Sequence, residues 1–304
     1  MRAVDLFAGL GGFTCGAKAA GVNVVWAANH WQLAVDTHQA NHPDVAHACQ
    51  DLHQADWSAV PTHDVLLASP ACQGHSRARG KDRAHHDATR STAWAVVSCA
   101  EAHRPQIVLV ENVPEFSQWS LYPAWHQAMR TLGYTLSPHI LDSGDYGVPQ
   151  NRRRLLIVGA RSRKPLMLRP RESNRQPAIK PHLELFPGRD RWRVIDGTLA
   201  ASTQERIAHG RKAHGQQFLI CYYGNTLTAR SLLRPIGTIT TRDRWAIVDG
   251  TRMRMLSTQE CRAAMGFPSD YLLPASGTKA KHLLGNAVTP PLITEVLNEL
   301  RAAA

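Results

Sequence analysis

Two residues in the first half of the chain have the types and settings for covalent and acid–base chemistry. Cys72 follows the apolar run Asp64-Val65-Leu66-Leu67-Ala68 and the dipeptide Ser69-Pro70, and Gln73-Gly74-His75-Ser76 come after it. Glu111 closes a second apolar run, Gln106-Ile107-Val108-Leu109-Val110, with Asn112 beside it. Each run reads as a strand giving way to a loop. In a doubly wound sheet, ligands sit beyond the carboxyl ends of the strands, so both side chains would face that crevice. A free cysteine is ordinarily a small buried hydrophobe, but glycine and polar flanks argue against that here. A thiolate nucleophile and a proton-donating carboxyl are what addition to an electron-poor heterocycle needs. Attack builds negative charge on the ring, and an acid must relieve it.

Positioning them requires a parallel sheet. The segment from Thr89 to Arg104 reads as a helix, so strand, helix and strand form a right-handed crossover that brings Cys72 and Glu111 together. Ala3 to Phe7 is a short strand, followed by the turn Ala8-Gly9-Leu10-Gly11-Gly12-Phe13 and a helix to about Ala20. Such a turn lets backbone N–H groups approach an anionic ligand at a helix start. It is not the dinucleotide fingerprint, because Thr14 stands where the third glycine belongs. Val22 to Ala28 gives a second strand, and Asn29-His30-Trp31 leads into a helix to about Asn41. Leu121 to Leu132 reads as a helix and Tyr134 to Leu141 as a strand. Asp145 to Gln150 is a turn, and a strand covers Leu155 to Ala160.

At 304 residues with 43% hydrophobic content, the chain has room for one large domain and one small one. Its formal charge of +11 suggests a polyanion partner. From Arg152 to Arg175 there are nine basic residues against the single acid Glu172, which reads as a clustered phosphate-binding segment. Prolines at 165, 170, 177, 181 and 187 mark a domain boundary there. After Cys72, a basic loop containing Arg77 and Arg79 could close over a substrate. Six cysteines without a Cys-x-x-Cys pair signal neither a metal site nor a disulfide framework. Asp5 interrupts the first apolar run and no ~18 apolar residues follow one another, so the expected setting is a reducing cytoplasm, with no membrane partner.

Pro-Ala-Cys-Gln at 70–73 and Glu-Asn-Val at 111–113 resemble the catalytic motifs of DNA (cytosine-5)-methyltransferases, and Asp5-Leu6-Phe7-Ala8-Gly9-Leu10-Gly11-Gly12 resembles their S-adenosylmethionine loop. The resemblance covers nearly the whole chain except about Ser162 to Leu233. It implies a Rossmann-like α/β fold: a doubly wound, mostly parallel sheet with a smaller recognition domain. The catalytic domain would span 1–160 plus 277–304 and the target-recognition domain 161–276. It implies a monomer acting on double-stranded DNA by base flipping, without a metal. Cofactor contacts fall on Phe7, Ala8, Gly9, Leu10, Gly11 and Gly12, with Phe7 packed on the adenine. They continue at Trp31, which stacks on that ring, at Asp51 and Leu52, at Ser69, and at Asn286 and Val288. These last two return to the cofactor and bring the carboxyl-terminal helix beside the amino-terminal strand. His30 departs from the family, which usually has a glutamate there for the ribose hydroxyls. Ala71 departs from the usual second proline.

For catalysis, the resemblance implies that Cys72 attacks C6, Glu111 serves N3 with Asn112 beside it, Arg154 reaches the cytosine and Arg152 braces the site. DNA contacts are expected from Gln73, Ser76, Arg77, Arg79, Arg161, Arg163, Lys164, Thr240, Thr241 and Arg242. Restriction-modification, phage self-protection and regulation are roles that family members fill. The rival readings are an RNA cytosine-5 methyltransferase, transfer of a larger group from a modified sulfonium, and an inactive DNA-binding homologue.

Overall fold

The structure is a computed structural model that describes residues 1–71, 91–169, 171, 176–188, 191–223 and 227–303. Cys72, Gln73, Ser76, Arg77 and Arg79 lie outside the described residues.

The first compact unit comprises Met1–Asp142, Arg153–Arg171 and Ala287–Ala304. Its sheet has seven strands: β1 (Arg2–Leu6), β2 (Asn23–Asn29), β3 (Ala46–Cys49), β4 (Val65–Ala68), β5 (Ile107–Asn112), β6 (Thr135–Asp142) and β7 (Arg153–Ala160), in the order β3-β2-β1-β4-β5-β7-β6. The first five run parallel, while β7 is antiparallel to both β5 and β6. The central strands β4 and β5 are buried at every position, which is why they read as unbroken apolar runs. Pro138 sits in β6, an edge strand, where a missing N–H does least harm. The helices α1 (Gly12–Ala19), α2 (Gln32–Asn41), α3 (Trp94–His103) and α4 (Tyr122–Thr131) connect the strands. This is the doubly wound, mostly parallel architecture expected.

Helix α8 (Pro290–Ala303) packs on α1, which follows β1. Glycine permits this contact. A Cβ on Gly16 would lie 2.6 Å from the Pro290 carbonyl oxygen, and one on Gly12 would lie 2.0 Å from that of Val288. Thr294 Oγ1 donates to Gly16 O at 3.1 Å.

The second unit comprises Ser143–Arg152 and Glu172–Asn286. Its five-stranded sheet has the order β10-β9-β11-β12-β8, from β8 (Arg193–Val194), β9 (Gln217–Cys221), β10 (Ala229–Ser231), β11 (Trp245–Asp249) and β12 (Arg252–Met255). All its pairs are antiparallel. Helix α5 (Ala201–His214) lies on β9 over Phe218 and Ile220, with Gly210 against the Phe218 ring. Helices α6 (Thr258–Ala264) and α7 (Gly277–Asn286) complete the unit. The compact units thus differ from the sequence boundaries: 143–152 and α7 group with the second unit, and 161–171 with the first.

Candidate active site

Strand register brings most of the expected site to one edge of the first sheet. Leu6 pairs with Ala28 and with Ala68, Ala68 pairs with Val110, and Asn29 pairs with Cys49. The residues just beyond these pairs therefore lie along the carboxyl edge of β3-β2-β1-β4-β5, the position for ligands in such sheets.

The glycine turn has the backbone that its composition requires. Phe7, Gly9 and Gly11 have φ of 61, 55 and 89°. The left-handed region suits glycine but costs a residue such as Phe7 about 1–2 kcal/mol. Gly11 caps α1 without a side-chain hydrogen bond, so the first turn presents N–H groups outside the helix's own ladder. Above Gly9 an added Cβ would meet, among the described residues, only Phe7 O, at 3.7 Å. Gly12, by contrast, is occupied by packing on Val288, which places that residue behind the turn. Trp31 caps α2 beyond β2 and is partly buried. Asp51 follows β3 and stays exposed, and hydrogen bonds from His53 hold its carboxyl below the usual carboxylate range. His30 is exposed beyond β2. Ala8, Leu10 and Leu52 complete this edge, with Leu52 buried in the core. The turn leaves backbone N–H groups open to an anionic group, and Trp31 and Asp51 follow the two next strands along the same edge.

The adjoining chemistry is tied to the same frame. Ser69 N donates to Leu6 O and its Oγ to Phe7 O, both at 3.2 Å, which fastens the loop after β4 to the glycine turn. Asn112, 1% exposed, donates through Nδ2 to Pro70 O at 3.0 Å and accepts from Val113 N. Thr92 Oγ1 accepts from Ala71 N at 3.1 Å. The residues leading to Cys72 are thus held by β5 and by the segment before α3. Glu111 lies at the end of β5, with its Oε1 2.9 Å from Arg154 Nε.

The basic run from Arg152 to Arg175 does not form one face, and this corrects the expectation of a single phosphate-binding segment. Arg152 is 2% exposed and gives its guanidinium to the carbonyls of Ile239 and Gly285 within the second unit. Arg153 is exposed and Arg154 pairs with Glu111. Strand β7 then crosses the sheet: Leu156 pairs with Glu111 and Ala160 with Ile107, and Arg161 N bonds Gln106 O. Arg161, Arg163 and Lys164 therefore lie at the amino end of β5, about 17 Å from Glu111 at ~3.3 Å per residue. Arg169 and Arg171 face Glu299 and Glu295 of α8. Arg175 is outside the described residues.

In the second unit, Thr240 and Thr241 pack against the backbone of Gly285, and Arg242 is exposed. Asn286 ends α7 with its amide 3.2 Å from His282.

Sequence reasoning missed a buried chain beneath the glycine turn. Thr14 Oγ1 donates to Asp5 Oδ2 at 2.7 Å and lies 3.0 Å from His38 Nε2, and His38 Nδ1 lies 2.7 Å from His47 Nε2. Burial pushes the Asp5 carboxyl up to about 7. The available signal was a charged residue inside an apolar strand. Gln150 was also undervalued. Its amide donates to Ala264 O and accepts from Ile239 N, which organises the second unit. Among the described residues no metal-capable cluster occurs and no helix is long and apolar enough to cross a membrane.

A parallel sheet with a glycine turn after β1 and a carboxylate at the end of β5 defines a Rossmann-like methyltransferase fold. The family profile for C-5 cytosine-specific DNA methylase matches residues 1–302, and the chain belongs to that family of DNA cytosine-5 methyltransferases. The Type II methyltransferase M.NlaX of Neisseria lactamica is 29% identical over 322 residues, covering 99% of this chain and 96% of the relative. M.HhaI of Haemophilus parahaemolyticus, another Type II methyltransferase, is 26% identical over 307 residues, covering 95% and 90%. In fold, the chain is similar to Spodoptera frugiperda DNMT2, with a TM-score of 0.70 at 19% identity, covering 99% of each chain.

Proposed function

We propose that this chain transfers a methyl group from S-adenosylmethionine to C5 of a cytosine flipped out of duplex DNA, through a covalent bond from Cys72 to C6. The observation that carries the reading is the carboxyl edge itself. Asn112 and Ser69 tie down the residues that precede Cys72, and Glu111 with its Arg154 partner ends the neighbouring strand. The cytosine must leave the stack because a paired ring offers a thiol no approach to C6.

Cys72 Sγ, as thiolate, forms the bond to C6, and the displaced electron pair moves into the ring. Glu111 supplies a proton or hydrogen bond at N3, so that C5 becomes nucleophilic. Arg154 keeps the Glu111 carboxyl in register for that task. The cofactor supplies an electrophilic methyl on sulfur. Loss of the C5 proton to a base then lets the Cys72 sulfur leave with its bonding pair. The glycine turn would hold the amino-acid end of the cofactor, while Trp31, Phe7 and Asp51 would hold the adenine. His30 would face the ribose. The second unit would read the DNA sequence, and its Thr240, Thr241 and Arg242 would contact the DNA. The protein would act as a cytoplasmic monomer without a metal, in the setting of the Type II relatives.

A duplex containing 5-fluorocytosine tests this directly, because fluorine cannot be removed as a proton and the covalent complex persists. The expected result is a stable protein–DNA adduct with the wild type and none with Cys72→Ser. An adduct formed by Cys72→Ser would refute the assignment.

A further inference from the structure

The cations that the fold removes from the catalytic edge gather elsewhere. Gln106, Gly133, Arg161, Ser162 and Arg163 line an open groove of about 390 Å³ at the amino ends of β5 and β6. Arg104 borders it, donating to Leu132 O and receiving at its own carbonyl a bond from Arg161 Nη1. These bonds to main-chain carbonyls fix the guanidinium planes without neutralising them. Lys164 follows on the same loop, and its carbonyl accepts from Ser162 and Thr135. All four cations are exposed, and among the described residues none is in an ion pair. Two acids lie near. Asp64 accepts from Arg2 N, while Glu101 meets Arg104 only through its main-chain carbonyl.

The ordinary reading is that arginines at helix carboxyl ends offset the helix dipoles, and Arg104, at the end of α3, fits it. That account does not reach Arg161, Arg163 and Lys164, which follow a strand. Their spacing along one loop, the adjacent polar side chains and the openness of the groove suit a phosphate backbone. A small ligand, in contrast, has to be buried over most of its surface.

We propose that this groove is a second DNA-backbone site, at the end of the sheet opposite Glu111. It would hold a segment of duplex other than the one whose cytosine is methylated. The word "second" rests on the function proposed above, but the groove's own binding does not. A duplex presented to Glu111 runs past the carboxyl ends of the strands, and the Arg161 loop lies about 17 Å away, at the other ends of β5 and β7.

The test is a titration of the full chain with short fluorescent duplex at low salt, comparing wild type with Arg161→Glu/Arg163→Glu/Lys164→Glu. The wild type should bind two duplexes. The reversed variant should bind one, with the second affinity reduced at least tenfold and roughly two to three units lost from its salt slope. Arg161→Lys/Arg163→Lys/Lys164→Arg should keep both events and so controls for folding. One duplex per wild-type chain, or two in the reversed variant, overturns the proposal. So does loss of both events while the conservative variant keeps them, because these cations would then serve the methylated duplex. A second event that prefers single-stranded RNA overturns the choice of duplex DNA. Adduct formation with 5-fluorocytosine is read separately, so the two proposals fail independently.

Discussion

Glu111 Oε1 lies 2.9 Å from Arg154 Nε, and the two side chains are only 8% and 14% exposed. Most of the pair's value depends on keeping both partners, since removing one leaves a charge in a poorly solvated place. Glu111→Gln should lower single-turnover methylation by roughly 10²- to 10⁴-fold, the range for a general acid, with a much smaller loss in DNA affinity. Arg154→Ala should slow the same step more than Arg154→Lys, which retains the charge. Equal losses in binding and turnover would assign both residues to structure instead.

Asn112 holds Pro70, two residues before Cys72, by a buried hydrogen bond. Asn112→Leu leaves that carbonyl without its donor, which costs about 1–3 kcal/mol when such a group stays buried. The variant should unfold at lower urea and trap 5-fluorocytosine DNA more slowly than the wild type. Trapping at the wild-type rate would mean that the Cys72 segment is held by other contacts.

Asp5 and its histidine neighbours pull stability in opposite directions with pH. Burial pushes Asp5 up to about 7 from 3.8, so the folded state keeps a proton that the unfolded chain releases, and its contribution falls as pH rises through that window. Burial lowers His42 to about 4 and holds His38 well below 6.5, so these groups make stability fall as pH drops below 6.5. Asp5→Asn removes only the first trend. Wild-type stability relative to this variant should decline with rising pH by up to about 1.4 kcal/mol per pH unit between roughly pH 4 and 7, then level off. Urea melts across that range measure it, and a pH-independent difference would contradict a buried, proton-holding Asp5.

His30 is exposed beyond β2, close enough to Asp51 to help hold that carboxyl down. A neutral imidazole accepts one hydrogen bond where a carboxylate accepts two from a diol. Each bond to a charged group is worth about 1.5–3 kcal/mol, so His30→Glu should bind S-adenosylmethionine at least tenfold more tightly by calorimetry. Unchanged affinity would mean that His30 points away from the ribose, and weaker affinity would favour a cofactor other than S-adenosylmethionine.

The carboxyl edge of the sheet was legible because its parts are local. Each strand end and the turn after it lie within about ten residues, so Ser69, Glu111 and the glycine turn could be placed by pattern alone. The basic run was misread for the complementary reason. Composition records that Arg154 and Arg161 are near in sequence, but β7 is extended, and an extended strand separates its ends by the width of the sheet. Burial was equally hidden. Arg152, Arg153 and Arg154 are adjacent and alike, yet Arg152 precedes β7 and is enclosed in the second unit, while on β7 itself Arg153 and Arg154 face opposite ways, one exposed and one paired with Glu111. The Asp5–Thr14–His38 chain joins three elements, and no window of sequence contains it.

The close approach of Gly12 to Val288, and of Gly16 to Pro290 and Ile293, also sets the order of biogenesis. A ribosome releases β1, the glycine turn and α1 long before α8, so the turn waits for the residues that back it, Thr294 standing 278 residues from Gly16. A closure of such sequence separation is among the slowest contacts to make. Until it forms, a nascent chain carries every residue of the glycine turn without the support that fixes its shape. The shape of the glycine turn is therefore fixed only after α8 has been made.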